Sequence, residues 1–395
     1  MTWTDRVTAR RAAACALAAA LASCGSGKGA ATGPATTGTG VSLVATVSVP
    51  ANYGQHDEFL RAGLAFLCSW NTGLQIYDVG DGRAGGSPQS PRFISRIVTA
   101  GGEVHNAWWY WAPDGQKRYV FVGQEGPGAI GSSSTGDIHV VDVSNLSAPV
   151  EVASYHMPGA GAHNFWVDEP NQILYAAYYN GGVVALDVSG TLSGDLSGRE
   201  IARVQPGGTS NTYVWGVILY NGSLYASDML SGFWQLALSN DTLHVLGGGN
   251  NVPERYGSDL WVANGYAYSG TWGARGAVLG NAVKIWKLGP GGAPVLHDSI
   301  VTQGFTTVSD VRVSADSRLL VFSGEYGPSA GIYFYSLVAD PGHPAFIAYY
   351  PVITNSQNGI HTVTISDIGG RRYVFAAEDP PTPAMLVLDV TAIGP

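Results

Sequence analysis

Histidine carries the clearest chemical signal in this sequence. Four of its nine histidines, His56, His105, His163 and His361, fall at one equivalent position of a repeated unit, at the start of a predicted strand. Neutral imidazole nitrogens bind Zn, Cu or Fe, and imidazole also titrates near neutral pH. If the fold brings these side chains together, they can hold a metal ion, act as acid and base, or hydrogen-bond the backbone of a neighbouring unit.

Seven copies of the unit extend this pattern. The histidine position holds Trp215, Ser258 and Ser309 in the other three copies, and the position after it is mostly a short polar residue. We expect both positions to line one mouth of a central channel and to contact a ligand there. The predicted contact residues are His56, Asp57, His105, Asn106, His163, Asn164, Trp215, Asp259, Asp310 and His361.

Short β-strands must position these residues. The unit is clearest at 162–188, which is predicted to form three strands joined by tight turns, and modified copies recur over residues 41–395. A spacing of roughly 40 to 50 residues is typical of propeller repeats. The 54 glycines, with charged residues at only 12% of the chain, also favour strands and turns over long helices.

We therefore predict an all-β fold, a seven-bladed β-propeller. The last unit has only three strands, whereas Ser42 to Val49 alternates like an outer strand and belongs to no other unit. We expect this N-terminal strand to complete the last blade and close the ring, which removes free sheet edges. A ring of six or eight blades is the alternative if one irregular unit is miscounted.

The same fold places carboxylates near the histidines. The first strand of a propeller blade begins, and its second strand ends, at the same face, so acidic residues that end second strands join this rim. They are Glu125, Asp228, Glu325 and Glu378. His56, His105, His163 and His361 are the predicted metal ligands, and such a site could keep an open coordination position. Bonding between blades and recognition of a ligand or peptide are the two alternatives.

Aromatic residues give a second signal. Most are expected to pack between blades. Five lie near strand ends on the predicted rim, where they could stack on a sugar or a peptide: Trp70, Tyr178, Tyr179, Trp215 and Trp272. The sequence contains no nucleophile elbow, phosphate-binding loop, zinc-finger spacing or calcium-loop motif.

The first 40 residues predict export. Basic residues precede an apolar run too short to span a bilayer, and this run ends in Leu21-Ala22-Ser23-Cys24-Gly25, which resembles the lipobox of bacterial lipoproteins. We predict a signal peptide at 1–23, a lipid-modified Cys24 within a flexible Gly/Ala/Thr tether at 24–40, and the propeller at 41–395. The protein is then anchored to a membrane of the bacterial cell envelope, periplasmic or surface-exposed. An ordinary secretory signal is the alternative.

Four predicted third strands resemble a known repeat. They end in Tyr77-Asp78-Val79, Val141-Asp142-Val143, Leu186-Asp187-Val188 and Leu388-Asp389-Val390, and they resemble the LVIVD repeat of bacterial surface β-propellers. The His-Asn pair that opens two units is similar to the LVIVD proteins grouped as choice-of-anchor B. The resemblance implies a propeller over roughly residues 41–395, but that family has no agreed activity to carry over. Units four to six lack the Asp-Val pair.

Composition narrows the function. A net charge of −9 and a pI near 5.4 provide no basic stripe for phosphates, so we expect no nucleic-acid partner. Cys68 lies alone outside the predicted leader and is expected to be a small core residue. We predict a module that binds an unknown ligand or protein through its histidine-lined face, without catalysis. A metal-dependent oxidoreductase or hydrolase using Zn, Cu or Fe is the alternative, and a purely structural module is the third.

Overall fold

The computed structural model describes residues 40–49, 54–249, 254–289, 292–351 and 359–394. Within these ranges seven sheets stand in a closed ring, because the inner strands of successive sheets are in contact all the way round. The predicted seven-bladed β-propeller is confirmed. The predicted signal peptide, Cys24 and the tether up to residue 39 lie outside the described residues. No helix in the described ranges has the length and apolarity needed to cross a bilayer.

The first three blades take their strands in chain order from the channel outwards. Blade 1 contains β2 (Asp57–Arg61), β3 (Leu64–Cys68), β4 (Leu74–Asp78) and β5 (Arg92–Ile97). Blade 2 contains β6 (Val104–Tyr110), β7 (Tyr119–Gln124), β8 (Ile138–Asp142) and β9 (Val150–Tyr155). Blade 3 contains β10 (Phe165–Asp168), β11 (Ile173–Ala177), β12 (Val183–Asp187) and β14 (Glu200–Val204).

Blades 4 to 6 follow the same order. Blade 4 contains β15 (Val214–Tyr220), β16 (Ser223–Asp228), β17 (Gly232–Ser239) and β18 (Thr242–Gly248). Blade 5 contains β19 (Tyr256–Ala263), β20 (Tyr266–Trp272), β21 (Ala282–Gly289) and β22 (Gly292–Val301). Blade 6 contains β23 (Val311–Val313), β24 (Leu319–Gly324), β25 (Gly331–Ser336) and β26 (Ala345–Pro351).

Blade 7 joins the two ends of the propeller. It contains β27 (Ile360–Ile368), β28 (Arg371–Glu378) and β29 (Ala384–Asp389), and its outer strand is β1 (Ser42–Ser48). β1 runs antiparallel to β29, from the pair Ser42 and Asp389 to the pair Ser48 and Ala384. The predicted closure by an N-terminal strand is therefore confirmed.

One strand was not expected. β13 (Gly194–Asp195) lies in the long connection of blade 3 and pairs in parallel with β9, so it adds a fifth strand to blade 2. The Asp195 carboxylate then accepts the N–H of Ser197 at 2.8 Å, where a short 3₁₀ turn begins. A two-residue strand has no periodicity of its own, so a pattern-based prediction cannot detect it.

The core lies between the blades. Every residue of β3 and β24 is buried, because both faces of each sheet pack against a neighbouring blade. Across the seam between the last and first blades, Ala65 and Leu67 pack with Tyr373 and Phe375. Cys68 is fully buried in the core between blades 1 and 2, as expected of a small apolar side chain.

Candidate functional site

The structure brings the four repeated histidines into one row on blades 7, 1, 2 and 3. Neighbouring ring centroids are 4.2 Å apart from His361 to His56, 4.1 Å from His56 to His105, and 4.2 Å from His105 to His163. The side chains belong to residues that are only 1 to 8% exposed. Imidazoles from residues far apart in the chain therefore form one buried cluster at the channel.

A backbone irregularity directs several of these side chains. The register between the first and second strands shifts at His105, at Trp215 and at His361, where one residue of the inner strand has no direct partner. A β-bulge of this kind bends the strand and reorients a side chain, and bulges are common beside functional sites. The repeated position is thus the point at which the inner strand leaves regular pairing.

Two tryptophans complete the circle. Trp215 lies 4.3 Å from His163, Trp272 lies 5.0 Å from Trp215, and 6.1 Å separates Trp272 from His361. Trp70 packs against His56 at 4.5 Å, and Tyr179 packs against His163 at 4.8 Å. Among the rim aromatics predicted from sequence, these four therefore surround the imidazoles.

Tyr178 has a different place from the other predicted rim aromatics. Its side chain is fully buried in the core between blades 2 and 3, and its hydroxyl donates to the Gly136 carbonyl at 3.0 Å. β11 ends at Ala177, and Tyr179 has a φ of 42° in the left-handed region, so the chain turns here and the two side chains diverge. The predicted pair is thus one core residue and one residue of the ring.

Two of the four predicted carboxylates flank the histidines. Glu125 has one carboxylate oxygen 3.8 Å from His105 Nε2 and the other 3.9 Å from His163 Nε2, and it accepts a hydrogen bond from the Tyr179 hydroxyl. Glu325 has an oxygen 2.9 Å from His361 Nδ1 and accepts the hydroxyl of Ser309. Both glutamates are buried.

The other two predicted carboxylates have contacts of a different kind. Asp228 accepts the backbone N–H groups of Tyr213, Leu230 and Ser231 at 2.8 to 2.9 Å, so it caps a loop. Glu378 is buried at the end of β28, but Asp379, the next residue, supplies the carboxylate close to His361 and Glu325. Glu378 pairs with Ile360 as Gln124 pairs with Val104, so Asp379, and not Glu378, is the residue equivalent to Glu125.

The ring contains two sets of metal donors among the described residues. In each set, one potential ligand atom from every member lies within 4.8 Å of the others. The first set is His56, His105 and Glu125, and the second is Glu325, His361 and Asp379. Imidazole nitrogen with carboxylate oxygen suits Zn, Cu or Fe. The four predicted histidine ligands are thus divided between two sets, with His163 beside the first.

The backbone orients two of the imidazoles. His56 Nδ1 lies 3.1 Å from the His105 carbonyl oxygen, and His163 Nδ1 lies 2.6 Å from that of Trp215. A carbonyl oxygen only accepts, so Nδ1 is the protonated nitrogen in both residues and Nε2 keeps its lone pair. Metal-binding histidines are commonly held in this way, by a hydrogen bond from the nitrogen that does not bind the metal.

Electrostatics divide the cluster. Burial lowers the pKa of His56, His105 and His163 well below the ordinary value, so these imidazoles are neutral. Burial also opposes protonation of His361, but the charge and hydrogen bond of Glu325 raise its pKa to about 9. Burial raises the pKa of Glu125 to about 7, against the hydrogen bond from Tyr179. His361 is thus an imidazolium beside three neutral rings.

His105 is unusual among the buried side chains. Neither of its ring nitrogens has a partner with hydrogen-bond geometry among the described residues, although the Asn106 amide slightly favours its protonated form. The buried Asn106 side-chain oxygen likewise has no partner with hydrogen-bond geometry within the described part of the chain. A buried polar group in this state costs about 1–3 kcal/mol.

A second polar layer lies beside the histidines and includes a residue that sequence reasoning missed. Arg312 forms ion pairs with Asp259 and with Asp310, the latter at 2.6 Å, and Asn164 donates to Asp259 at 2.8 Å. Burial raises the pKa of Asp57, against the attraction of Arg312. The one cation in the apolar strand Val311-Arg312-Val313 was the available sequence signal.

The space between the two layers is small. A cavity of about 10 Å³ is bounded by His56, His105, His163 and His361 on one side and by Asp259 and Arg312 on the other. One water molecule needs a volume of roughly 10–15 Å³. A single water or ion fits there, and a sugar or a peptide side chain does not.

Comparison with known proteins supports the fold alone. No protein-family model and no curated protein matches the chain. The structure is similar to the WD40 β-propeller domain of Doa1, with a TM-score of 0.59 and 11% identity over 88% of this chain and 97% of that one. The class defined by fold and site is thus a seven-bladed β-propeller with a histidine-carboxylate cluster at its channel.

Proposed function

We propose that this protein is a metal-binding β-propeller, in which His56, His105 and Glu125 bind one transition-metal ion of the Zn, Cu or Fe type. One observation carries the proposal. Three buried side chains from two blades place their donor atoms within 4.8 Å, and one of them, His105, has no partner with hydrogen-bond geometry among the described residues. A bound cation would pair the His105 nitrogen and remove the cost of burying it unpartnered.

The state of the donors supports this assignment. Coordination requires a neutral imidazole, and burial already keeps His56 and His105 in that form. His56 is oriented by the His105 carbonyl oxygen, and Glu125 by the Tyr179 hydroxyl. His163 Nε2, 3.9 Å from a Glu125 oxygen, is a candidate fourth ligand.

The size of the channel cavity favours an ion over a larger ligand at this ring. The cavity of about 10 Å³ is lined by His56 and His105 but not by Glu125, and it has room for one ion or water only; the ring aromatics Trp70 and Trp215 are buried against histidines. Binding of a peptide or sugar by the histidines would require the cluster to separate. Of the functions expected from the sequence, metal binding is therefore the one that this geometry supports best.

A metal-dependent enzyme is the second candidate. The observation in its favour is His361, an imidazolium bonded to Glu325 and centred 4.2 Å from the His56 ring. A proton donor next to a metal ion is the arrangement that general acid catalysis uses. If His361→Gln keeps its bound metal but no longer converts a substrate that the native chain converts, the protein is an enzyme and not only a metal-binding module.

The cellular setting is a proposal from the sequence. The lipobox-like Leu21-Ala22-Ser23-Cys24 and the LVIVD-like third strands support a lipid-anchored propeller of the bacterial cell envelope. Labelled palmitate should be incorporated into the full chain and lost in Cys24→Ala. A chain labelled equally in both forms would refute the anchor and leave the metal site untouched.

Metal analysis tests the main proposal. Protein produced without residues 1–24 is equilibrated with Zn, Cu or Fe, and bound metal is counted by mass spectrometry. We expect one ion per chain, and binding at least about 100-fold weaker in His105→Ala, because loss of a ligand costs more than loss of the group that orients it, which costs about 10–100-fold. His156→Ala is the control, since His156 is 63% exposed and bonds Asp137 instead. Folded protein that binds no metal, or His105→Ala that binds as tightly, would overturn the proposal.

A further inference from the structure

The opposite end of the inner strands forms a second constellation, which is aromatic. Four blades have a large aromatic residue three positions after the repeated position that holds the histidines. These residues are Phe59, Trp108, Trp166 and Trp261. Ring centroids are 5.2 Å apart from Phe59 to Trp108, 5.2 Å from Trp108 to Trp166, and 6.2 Å from Trp166 to Trp261. Three residues of a strand span about 10 Å, so this aromatic collar is separate from the histidine ring.

The collar lies beside a cavity that is wide open to solvent and much larger than the one beside the histidines. The cavity has a volume of about 550 Å³ and is walled by Phe59, Trp108, Trp166 and Leu219, with Glu169 and Asn221 at its polar side. Cavities of roughly 300–1,000 Å³ are typical for small organic ligands. Trp108 and Trp166 are each only partly buried, and their ring planes meet at 59°. Two indole faces thus form a wedge.

Three charged side chains line the cavity: Arg61 and Glu169 pair with each other, and the Asp168 carboxylate accepts the backbone N–H and the side-chain amide of Asn171. Arg61 forms two contacts with the Glu169 carboxylate, at 2.5 and 3.0 Å, and its guanidinium lies 3.9 Å from the centre of the Trp111 ring. Glu169 also accepts the Trp111 backbone N–H at 3.0 Å and lies 3.4 Å from Trp108 Nε1. A charged ligand would compete with the Arg61–Glu169 pair, whereas the hydroxyls of a neutral ligand can bond to this pair and to Asp168 without breaking it.

We propose that this cavity binds a neutral saccharide. A sugar ring offers an apolar face of C–H groups that can lie on an indole, and hydroxyls that can pair with a carboxylate, a guanidinium or an amide. The Trp108–Trp166 wedge supplies the first kind of surface, and Glu169, Arg61 and Asn221 supply the second. This site is independent of the proposed metal centre, because the two share no side chain.

Calorimetric titration of the full chain tests the inference, with cellotriose, chitotriose and maltotriose as probes. We expect one of them to bind, and Trp108→Ala or Trp166→Ala to weaken it at least about tenfold. Trp234→Phe is the matched control, since Trp234 donates to Ser231 in blade 4 and does not line the cavity. His105→Ala should bind the same probe unchanged, which separates this inference from the metal proposal.

A second variant covers the case in which removal of a tryptophan unfolds the blade. Leu219→Trp keeps the collar and fills part of the cavity, so it should block binding while circular dichroism shows a folded sheet. Absence of binding by the native chain at about 10 mM of every probe would overturn the inference. Binding that survives both Trp108→Ala and Leu219→Trp, or preferential binding of tetramethylammonium through Trp108, would overturn it as well.

Discussion

At the scale of single residues, the repeated position that holds the four histidines links neighbouring blades even where it holds a serine. Ser309 shares its one hydroxyl proton between Glu325 and the His361 carbonyl oxygen, which is 2.6 Å away, and Ser258 donates to the Val308 carbonyl oxygen at 2.6 Å. His56 and His163 use Nδ1 for the same kind of bond to the next blade. Serine is therefore sufficient to link two blades. Imidazole adds a second nitrogen that the link does not need, and this favours a further role for the histidines.

Substitution of His56 can separate the two roles. His56→Ala removes the bond to the His105 carbonyl, and we expect the free energy of unfolding to fall by about 1–3 kcal/mol. His56→Ser should lose less stability, because serine already forms such a link in blades 5 and 6, yet it should lose metal affinity as the alanine variant does. Urea unfolding measures the first quantity and metal titration the second. Equal destabilisation by serine and alanine would contradict this division.

At the scale of elements, aspartate at the end of a third strand stabilises the connection that follows. Asp142, Asp187 and Asp389 each accept the N–H of the residue two positions later, at 2.8 to 3.0 Å. Each also pairs with an arginine, which is Arg118, Arg199 or Arg371. In blade 4 the connection is instead a tight hairpin, with Asn240 and Asp241 at φ values of 50° and 53°. A short hairpin has no long loop to organise, so blade 4 does not need the Asp-Val pair.

Asp78 accepts more backbone hydrogen bonds than the other three aspartates, and it makes the stability of the connection in blade 1 depend on pH. Burial works against ionisation, but the N–H groups of Gly86, Ala84, Gly80 and Asp81 lower the pKa of Asp78 to about 2. A carboxyl whose pKa is lowered by folding stabilises the fold above its unfolded value, near 4, and this contribution is lost as the pH falls through about 2.

We therefore expect Asp78→Asn to cost about 1–2 kcal/mol of unfolding free energy at pH 7 and much less near pH 2. Urea unfolding at both pH values measures the difference. Asp114→Asn is the control, because Asp114 is an exposed aspartate that accepts a hydrogen bond only within its own turn. A deficit of Asp78→Asn that stays constant from pH 7 to pH 2 would contradict the assignment.

Most of the architecture, but only part of the site, could be predicted from the sequence. Repeats align because every blade must bury both faces of its sheet, so strand order, closure and the ring histidines follow from periodicity. Glu378 was predicted in place of Asp379 because a pattern does not fix the last residue of a strand: in the pairing register, Glu378 corresponds to Gln124, and Asp379 corresponds to Glu125. Arg312 was missed because its partners Asp259 and Asp310 come partly from another blade. The aromatic collar was missed because Phe59 and Trp108 look like ordinary core residues until the cavity beside them is seen.

At the scale of the whole molecule, one strand closes the ring. β1 is the first strand of the propeller and β29 is the last, and they pair from Ser42 with Asp389 to Ser48 with Ala384. Val44 and Val47 also pack against the core that joins blades 7 and 1. The hydrogen bonds between β1 and β29 and this apolar packing therefore add to the side-chain bonds that join blades 7 and 1, which run from Thr362 and Thr364 to the carbonyl oxygens of His56 and Glu58. Without β1, the N–H and C=O groups of β29 would form an exposed sheet edge, which invites pairing with another chain.

Deletion of residues 41–48 should consequently lower the melting temperature and make the protein associate in a concentration-dependent way. Differential scanning calorimetry and size-exclusion chromatography with light scattering measure the two effects. A synthetic peptide of residues 41–49 should restore both the monomer and its melting temperature, because it can occupy the edge of β29 in the native register. A peptide with Val44 and Val47 changed to Asp is the matched control, since both valines pack on the core. A deletion variant that stays monomeric with an unchanged melting temperature would show that the ring closes without its N-terminal strand.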